Sequence, residues 1–250
     1  MVDLRGKWAL VTGASRGIGR LAALCLAEHG CNIVAQSRSL AHTESLLQEL
    51  QELGVEAYGV EAELSSPDDV RRMLREIDEK QTKIEVVLNN AGVQVAYRTD
   101  YYQTPVQDYE QSFLINTIAP MLICYHYMPR MVEAGFGRIV NTTSGIRLEP
   151  EQAGYSASKA ALDKITIDLG STVEGTDVMI NLTDPGWCRT DLGGPHAPNA
   201  PDSAIPGIVV GAFVDDKKSG IYLNAPFFTG MTLEDAVKKA EAEFDSPYDK

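Results

Sequence analysis

Tyr155 and Lys159, four residues apart in Tyr155-Ser156-Ala157-Ser158-Lys159, are residue types that together can move a proton. On a helix that spacing puts both side chains on one face. A phenol titrates near about 10 and is a poor acid–base at neutral pH. An adjacent ammonium favours the phenolate and brings the group toward the range where a general acid or base works best. A second run, Thr12-Gly13-Ala14-Ser15-Arg16-Gly17-Ile18-Gly19, suits a phosphate. Its glycines can turn tightly and admit a pyrophosphate against backbone N–H groups. A helix following them would add the partial positive charge of its N-terminus. The spacing departs from the generic Gly-x-Gly-x-x-Gly fingerprint. Each run alone has a bland reading, two ordinary helix residues or a strand–turn–helix with three glycines. In this order and spacing they point together to nicotinamide-dependent redox chemistry.

Short β-rich runs alternate with amphipathic stretches along the chain. The strands are expected at residues 8–12, 32–36, 57–61, 85–89, 138–142, 178–183 and 220–223. Helical patterns lie at 17–29, 41–53 and 67–80, and further helices are expected at about 104–133 and 155–173. Such alternation argues for βαβ units: an α/β fold, a doubly wound Rossmann-type parallel sheet of about seven strands with helices on both faces. Helix ends are legible. Gly30 can take the left-handed position after the first helix. Ser66-Pro67-Asp68-Asp69 reads as an N-cap, a proline at the first helical position and acids in the first turn. The 250 residues suit a single nucleotide-binding domain spanning 1–250. Residues 185–206, with five prolines and three glycines, read as a long ordered loop or lid over the cofactor and substrate. Residues 231–250 read as a C-terminal helix and tail, with Thr232 as the N-cap.

The end of the second strand discriminates between the two nicotinamide dinucleotides, because an acid there would hold a ribose 2′-hydroxyl. Here the run is Ala35-Gln36-Ser37-Arg38-Ser39, without an acid. Arg38, with Arg16 in the glycine turn, can pair with a 2′-phosphate instead. NADP(H) is therefore expected in preference to NAD(H).

The net charge of −13 disfavours a nucleic-acid partner. No apolar run reaches membrane-spanning length, and the first residues lack a signal-peptide pattern, so a cytoplasmic protein without a membrane partner is expected. Cys25, Cys31, Cys124 and Cys188 are scattered and read as free thiols; the histidines are equally dispersed, and no metal site is expected.

The chain resembles the short-chain dehydrogenase/reductase family, of the compact single-domain kind. The resemblance rests on Thr12–Gly19, Asn89-Asn90-Ala91-Gly92, Asn116, Ser144, Tyr155 with Lys159, and Asp184-Pro185-Gly186, in family order. It implies that Tyr155 gives a proton to a carbonyl oxygen, or takes one from the alcohol in reverse. Ser144 would hydrogen-bond the same oxygen. Lys159 would bind the nicotinamide ribose and depress the tyrosine pKa, and Asn116 would hold a water linking Lys159 to solvent. The cofactor would lie on Gly13, Ser15, Arg16, Gly17, Ile18 and Gly19, then Ser37 and Arg38. It would continue along Glu63 and Leu64, then Asn90, Ala91 and Gly92, and finally Tyr155, Lys159, Pro185, Gly186 and Thr190. A separate argument concerns Asn116: in a helix its carbonyl would accept from residue 120, which is a proline without an N–H. The helix should be disturbed there and the carbonyl left open.

The function expected is reversible NADPH-dependent reduction of a ketone or aldehyde to an alcohol. Two alternatives stand beside it, an NADP-binding sensor or scaffold without turnover and a lyase or epimerase on the same fold. The substrate is expected to be a small carbonyl or alcohol lying between residues 93–102, 145–154 and 187–200. Tyr97, Tyr101, Tyr102 and Trp187 could stack on it, and Arg98 and Arg147 could hold an acidic group. The resemblance further implies a homodimer, with a homotetramer left open.

Overall fold

The computed structural model describes residues 1–248. The last two positions of the expected tail, 249 and 250, lie outside the described residues. Seven strands form one sheet: β1 (Trp8–Val11), β2 (Asn32–Ser37), β3 (Ala57–Glu61), β4 (Ile84–Asn89), β5 (Gly137–Thr142), β6 (Val178–Asp184) and β7 (Tyr222–Asn224). All pairs are parallel, in the order β3-β2-β1-β4-β5-β6-β7. This is the doubly wound Rossmann-type sheet that the alternation of strands and helices predicts.

Two cores sandwich the sheet, and strand residues alternate between them because successive side chains point to opposite faces. Ala9 and Val11 of β1 join the first core, with α1 (Gly17–Glu28), α2 (Glu44–Glu52) and two late helices, α7 (Val210–Phe213) and α8 (Leu233–Glu243). Leu10, between them, joins the second core. That core is built on α3 (Pro67–Glu79) through Met73, Leu74 and Ile77 and on α5 (Ala119–Ala134) through Ile123, Tyr127 and Met131. Two more helices, α4 (Val106–Phe113) and α6 (Gly154–Gly170), pack on each other, and α6 also lies against β6.

The caps follow the sequence. Gly30 takes φ of 81°, the Ser66 hydroxyl accepts from the Asp69 N–H at 3.2 Å, and Thr232 does the same for Asp235 at 3.2 Å. All four cysteines are free and buried. Among the described residues no helix is long and apolar enough to cross a membrane.

Several boundaries differ from expectation. The helix expected at 41–53 begins as a 3-10 turn, Leu40–Thr43. The strand expected at 220–223 starts only at Tyr222, because Gly220 sits at φ of 71° and interrupts the extended run. The helix expected to 173 ends at Gly170. The helix expected over 104–133 is broken by a π-helical turn at Leu114–Ile118, closed by the Ala119 N–H on the Leu114 carbonyl. Pro120 offers no N–H to the Asn116 carbonyl, and a wider turn accommodates the missing bond.

Candidate active site

The strand order reverses between β1 and β4, and in open α/β sheets the crevice at such a point, beyond the carboxyl ends of the strands, is where ligands bind. A cleft of about 1480 Å³ opens there. It has room for a dinucleotide and a substrate together.

At one end lies the glycine turn. Gly13 (φ 65°) and Gly17 (φ 56°) occupy left-handed conformations. A Cβ on Gly13 would press on the Ala91 backbone at 3.0 Å. Gly19 does not line the cleft. A side chain there would run into the Gly13 carbonyl and the Asn90 amide, so this glycine lets the helix close on the turn. The α1 N-terminus has neither a capping side chain nor an acid in its first turn. Its N–H groups are therefore available to an anion. Glycines in left-handed conformations and an uncapped helix end fit a dinucleotide pyrophosphate.

Thr12 ties the turn to β4: its hydroxyl accepts from the N–H groups of Asn90 at 3.0 Å and Ala91 at 3.1 Å. Ser15, Arg16, Gly17 and Ile18 line the cleft with Asn90, Ala91 and Gly92. Gln36, which sequence reasoning noted only for not being an acid, is 1% exposed and braces the cradle. It accepts from the Gly13 N–H at 3.0 Å and donates to the Ala62 carbonyl at 2.9 Å. Ser37 and Arg38 reach the cleft, as do Glu63 and Leu64. The Ser37 hydroxyl is turned onto the Ser39 carbonyl, and the Glu63 carboxylate is held by the Ser65 N–H at 3.0 Å and hydroxyl at 2.9 Å. Arg16 is engaged from the loop after β6, pairing with Asp191 at 3.0 Å.

At the other end Ser144, Tyr155 and Lys159 share the cleft wall. Tyr155 is 8% exposed. Burial pushes its phenol up, the Ser144 hydrogen bond works against that rise, and the charge of Asp184 adds to it. The expected depression by Lys159 is not what this geometry gives. The Lys159 ammonium instead donates to the Thr142 carbonyl at 2.7 Å. Burial brings Lys159 down to about 8, against the pull of Asp163 and Asp184. Burial likewise raises Asp163 to about 6, partly offset by Thr143 and Lys159.

Asn116 is buried and its side chain does not reach the cleft. Its Oδ1 accepts from the Val93 N–H at 2.8 Å, and its Nδ2 donates to the Val93 carbonyl at 2.9 Å and the Ser158 hydroxyl at 3.0 Å. The side chain clamps the loop after β4 to α6. Any water-holding role falls to the Asn116 main-chain carbonyl, in the π-helical turn.

Pro185, Gly186 and Thr190 border the cleft from the loop at 185–206. This loop is internally tied: Trp187 donates to the Gly193 carbonyl at 2.7 Å, and Arg189 to the carbonyls of Ala197 (3.0 Å) and Pro198 (2.7 Å). The Thr190 methyl faces Gly17, 3.5 Å from where a Cβ would sit. Two residues that sequence reasoning left without a role form a pair here. Tyr222 donates to Asp184 Oδ2 at 2.7 Å, while Asp184 Oδ1 accepts from the Gly186 N–H at 2.9 Å.

Of the expected substrate contacts, Tyr97 and Trp187 line the cleft, while Tyr101 and Tyr102 do not and pack on each other at 4.6 Å. Arg98 is committed to Asp108 and does not line the cleft, nor does Arg147. No group of three metal-ligating side chains is present among the described residues. The arrangement can seat a dinucleotide along the strand ends and hold a carbonyl oxygen against Ser144 and Tyr155.

A family model described as short chain dehydrogenase matches residues 7–200. The chain belongs to the short-chain dehydrogenase family. It is thus an oxidoreductase of a family that binds a nicotinamide cofactor. The chain is 31% identical over 238 residues to 3-oxoacyl-(acyl-carrier-protein) reductase FabG of Staphylococcus epidermidis, covering 91% of this chain and 96% of that one. It is 31% identical over 198 residues to a short-chain type dehydrogenase/reductase of Picea abies, covering 76% and 73%. Among solved structures, a metagenomic short-chain oxidoreductase in complex with NADP superposes with a TM-score of 0.69 at 27% identity, covering 74% of this chain and 84% of that one. A short chain dehydrogenase from Salmonella enterica shares the fold, with a TM-score of 0.80 at 24% identity over 89% and 97% of the two chains.

Proposed function

We propose that this short-chain dehydrogenase is an NADPH-dependent reductase of ketones or aldehydes, reversible as an alcohol dehydrogenase. The observation that carries this reading is that Ser144, Tyr155 and Lys159 stand on the wall of the same cleft as the glycine turn. Bound along the strand ends, the cofactor supplies the hydride. The chain's own residues do the rest. Ser144 orients the substrate oxygen and holds the Tyr155 hydroxyl, which donates the proton. Lys159 anchors the cofactor ribose and carries positive charge below about pH 8. Arg38, exposed at the cleft edge, offers a guanidinium to a 2′-phosphate, with Arg16 as a second donor once it leaves Asp191. The NADP-bound neighbour and the absence of an acid after β2 favour NADP(H) over NAD(H). We read residues 1–250 as one domain acting in the cytoplasm.

An NADPH-oxidation screen over ketones and aldehydes tests the reading, which expects one NADPH consumed per alcohol formed. NADPH bound but never consumed would make the protein a sensor; product formed with NADPH unspent would make it a lyase or epimerase.

Asp184 gives a testable pH dependence. The Asp184 carboxylate raises the Tyr155 phenol, so Asp184→Asn should lower it. Alcohol oxidation needs the phenolate, and its activity should therefore rise at lower pH in the variant. Carbonyl reduction needs the phenol and should fade at lower pH. Superimposable pH profiles would show that Asp184 does not act on the proton donor.

Assembly through α4, α5 and α6 is the family-based reading. Tyr109, Tyr125 and Val132 are exposed on α4 and α5, beside half-buried Phe113, Met121 and Leu122. We expect at least a homodimer, about twice the 27.2 kDa of one chain. Light scattering at micromolar concentration that finds only the monomer mass would rule it out.

A further inference from the structure

The wall between Ser144 and Tyr155 is held in an unusual shape. Leu148 at φ of 60° and Ala153 at φ of 43° flank a 3-10 turn, Pro150–Gln152. Bulky side chains rarely adopt such a conformation, and it persists where the surroundings impose it. The result leaves Leu148 87% exposed. Tyr97 and Trp187, each 60% exposed, and Leu192, 43% exposed, line the same cleft. Scattered exposed apolar residues need no explanation, but four around one catalytic cleft call for a ligand that covers them.

Between Leu148 and Ala153 the charged side chains are both carboxylates. Glu149 and Glu151 line this wall, and neither forms an ion pair among the described residues. Glu149 accepts instead from the Gln152 amide at 2.5 Å. The cations nearest in sequence are taken or elsewhere. Arg98 is paired with Asp108, and Arg147 is not part of the cleft wall. Arg189 is spent on the carbonyls of Ala197 and Pro198. Lys159 is 3% exposed and donates to Thr142. A carboxylate or phosphate resting on this wall would thus meet two carboxylates of like charge, while the Arg189 guanidinium is held on carbonyls of its own loop, and this costs affinity and slows encounter. An ammonium would meet two carboxylates and two aromatic side chains, Tyr97 and Trp187, and both kinds of group can attract it.

We propose that this wall selects a carbonyl compound with an apolar body and a protonated amine at its far end, and disfavours substrates ending in carboxylate or phosphate. The proposal rests on the reductase reading and names its substrate class.

Three 4-aryl-2-butanones of matched size, bearing para aminomethyl, methyl or carboxylate groups, test it with NADPH. kcat/KM should fall in that order, with the amine ahead of the acid by about tenfold or more, as two nearby unit charges of changed sign imply. In the E149Q/E151Q double variant that ratio should shrink to about threefold or less. Because the ratio is read within each enzyme, a general loss of activity in the variant does not disturb it. A flat or reversed order overturns the proposal, as does a ratio unchanged in the variant. So does failure to reduce all three ketones while other carbonyls are turned over, an outcome that leaves the reductase reading standing. No NADPH oxidation with any carbonyl at all sinks both.

Discussion

Replacing Tyr155 with Phe should lower carbonyl reduction by about 10²- to 10⁴-fold, the range a positioned general acid supplies. The change removes one hydroxyl and keeps the ring, which is 8% exposed and packed at the start of α6. The fold should survive, and NADPH affinity should change little, because the hydroxyl faces Ser144 and is not a main anchor of the cofactor. Turnover and cofactor titration on the same preparation separate the two effects. Near-normal turnover in a folded variant would mean that the proton comes from elsewhere. Burial and Asp184 both raise the phenol, which suits the proton donor proposed for carbonyl reduction.

Ser37→Asp combined with Arg38→Ala should move cofactor preference from NADPH toward NADH. A charge-assisted guanidinium–phosphate contact of the kind proposed for Arg38 contributes on the order of 1.5–3 kcal/mol. That corresponds to roughly ten- to hundredfold in affinity. Arg38 carries most of this expectation, because Arg16 already has Asp191 as a partner. The new Asp would stand at the carboxyl end of β2, where a carboxylate can meet a ribose 2′-hydroxyl. Comparing kcat/KM for the two cofactors in both proteins checks it. Equal efficiency with both in the unmodified chain would refute the role of Arg38.

Local chemistry made much of this molecule legible from sequence. The alternation of strands and helices, the caps at Ser66 and Thr232 and the left-handed Gly30 all depend on neighbours within a few residues. The glycine turn and the Tyr155–Lys159 spacing belong to the same class. Contacts between distant residues carry no such local signature. Gln36 bracing Gly13 spans 23 positions, and Tyr222 meeting Asp184 spans 38. The Arg98 side chain looked available for substrate until the fold brought Asp108 to it. Pro120 did announce the disturbance at Asn116, because a missing N–H is a property of one residue. That the Asn116 side chain would be consumed by Val93 and Ser158 was not visible, since it depends on where the loop after β4 comes to rest. The direction of the Tyr155 pKa was not legible for the same reason. Sequence spacing reports the neighbouring ammonium but not the burial that raises the phenol.

The most direct test of the central claim is to follow the hydrogen itself. The protein is given NADPH carrying deuterium at both C4 positions together with a ketone or aldehyde that it turns over, and the alcohol is analysed by mass spectrometry. The account predicts one deuterium on the carbinol carbon for each NADPH oxidised, with the hydroxyl proton drawn from solvent through Tyr155. Product without deuterium, or labelled NADPH that stays unspent while product forms, would contradict it.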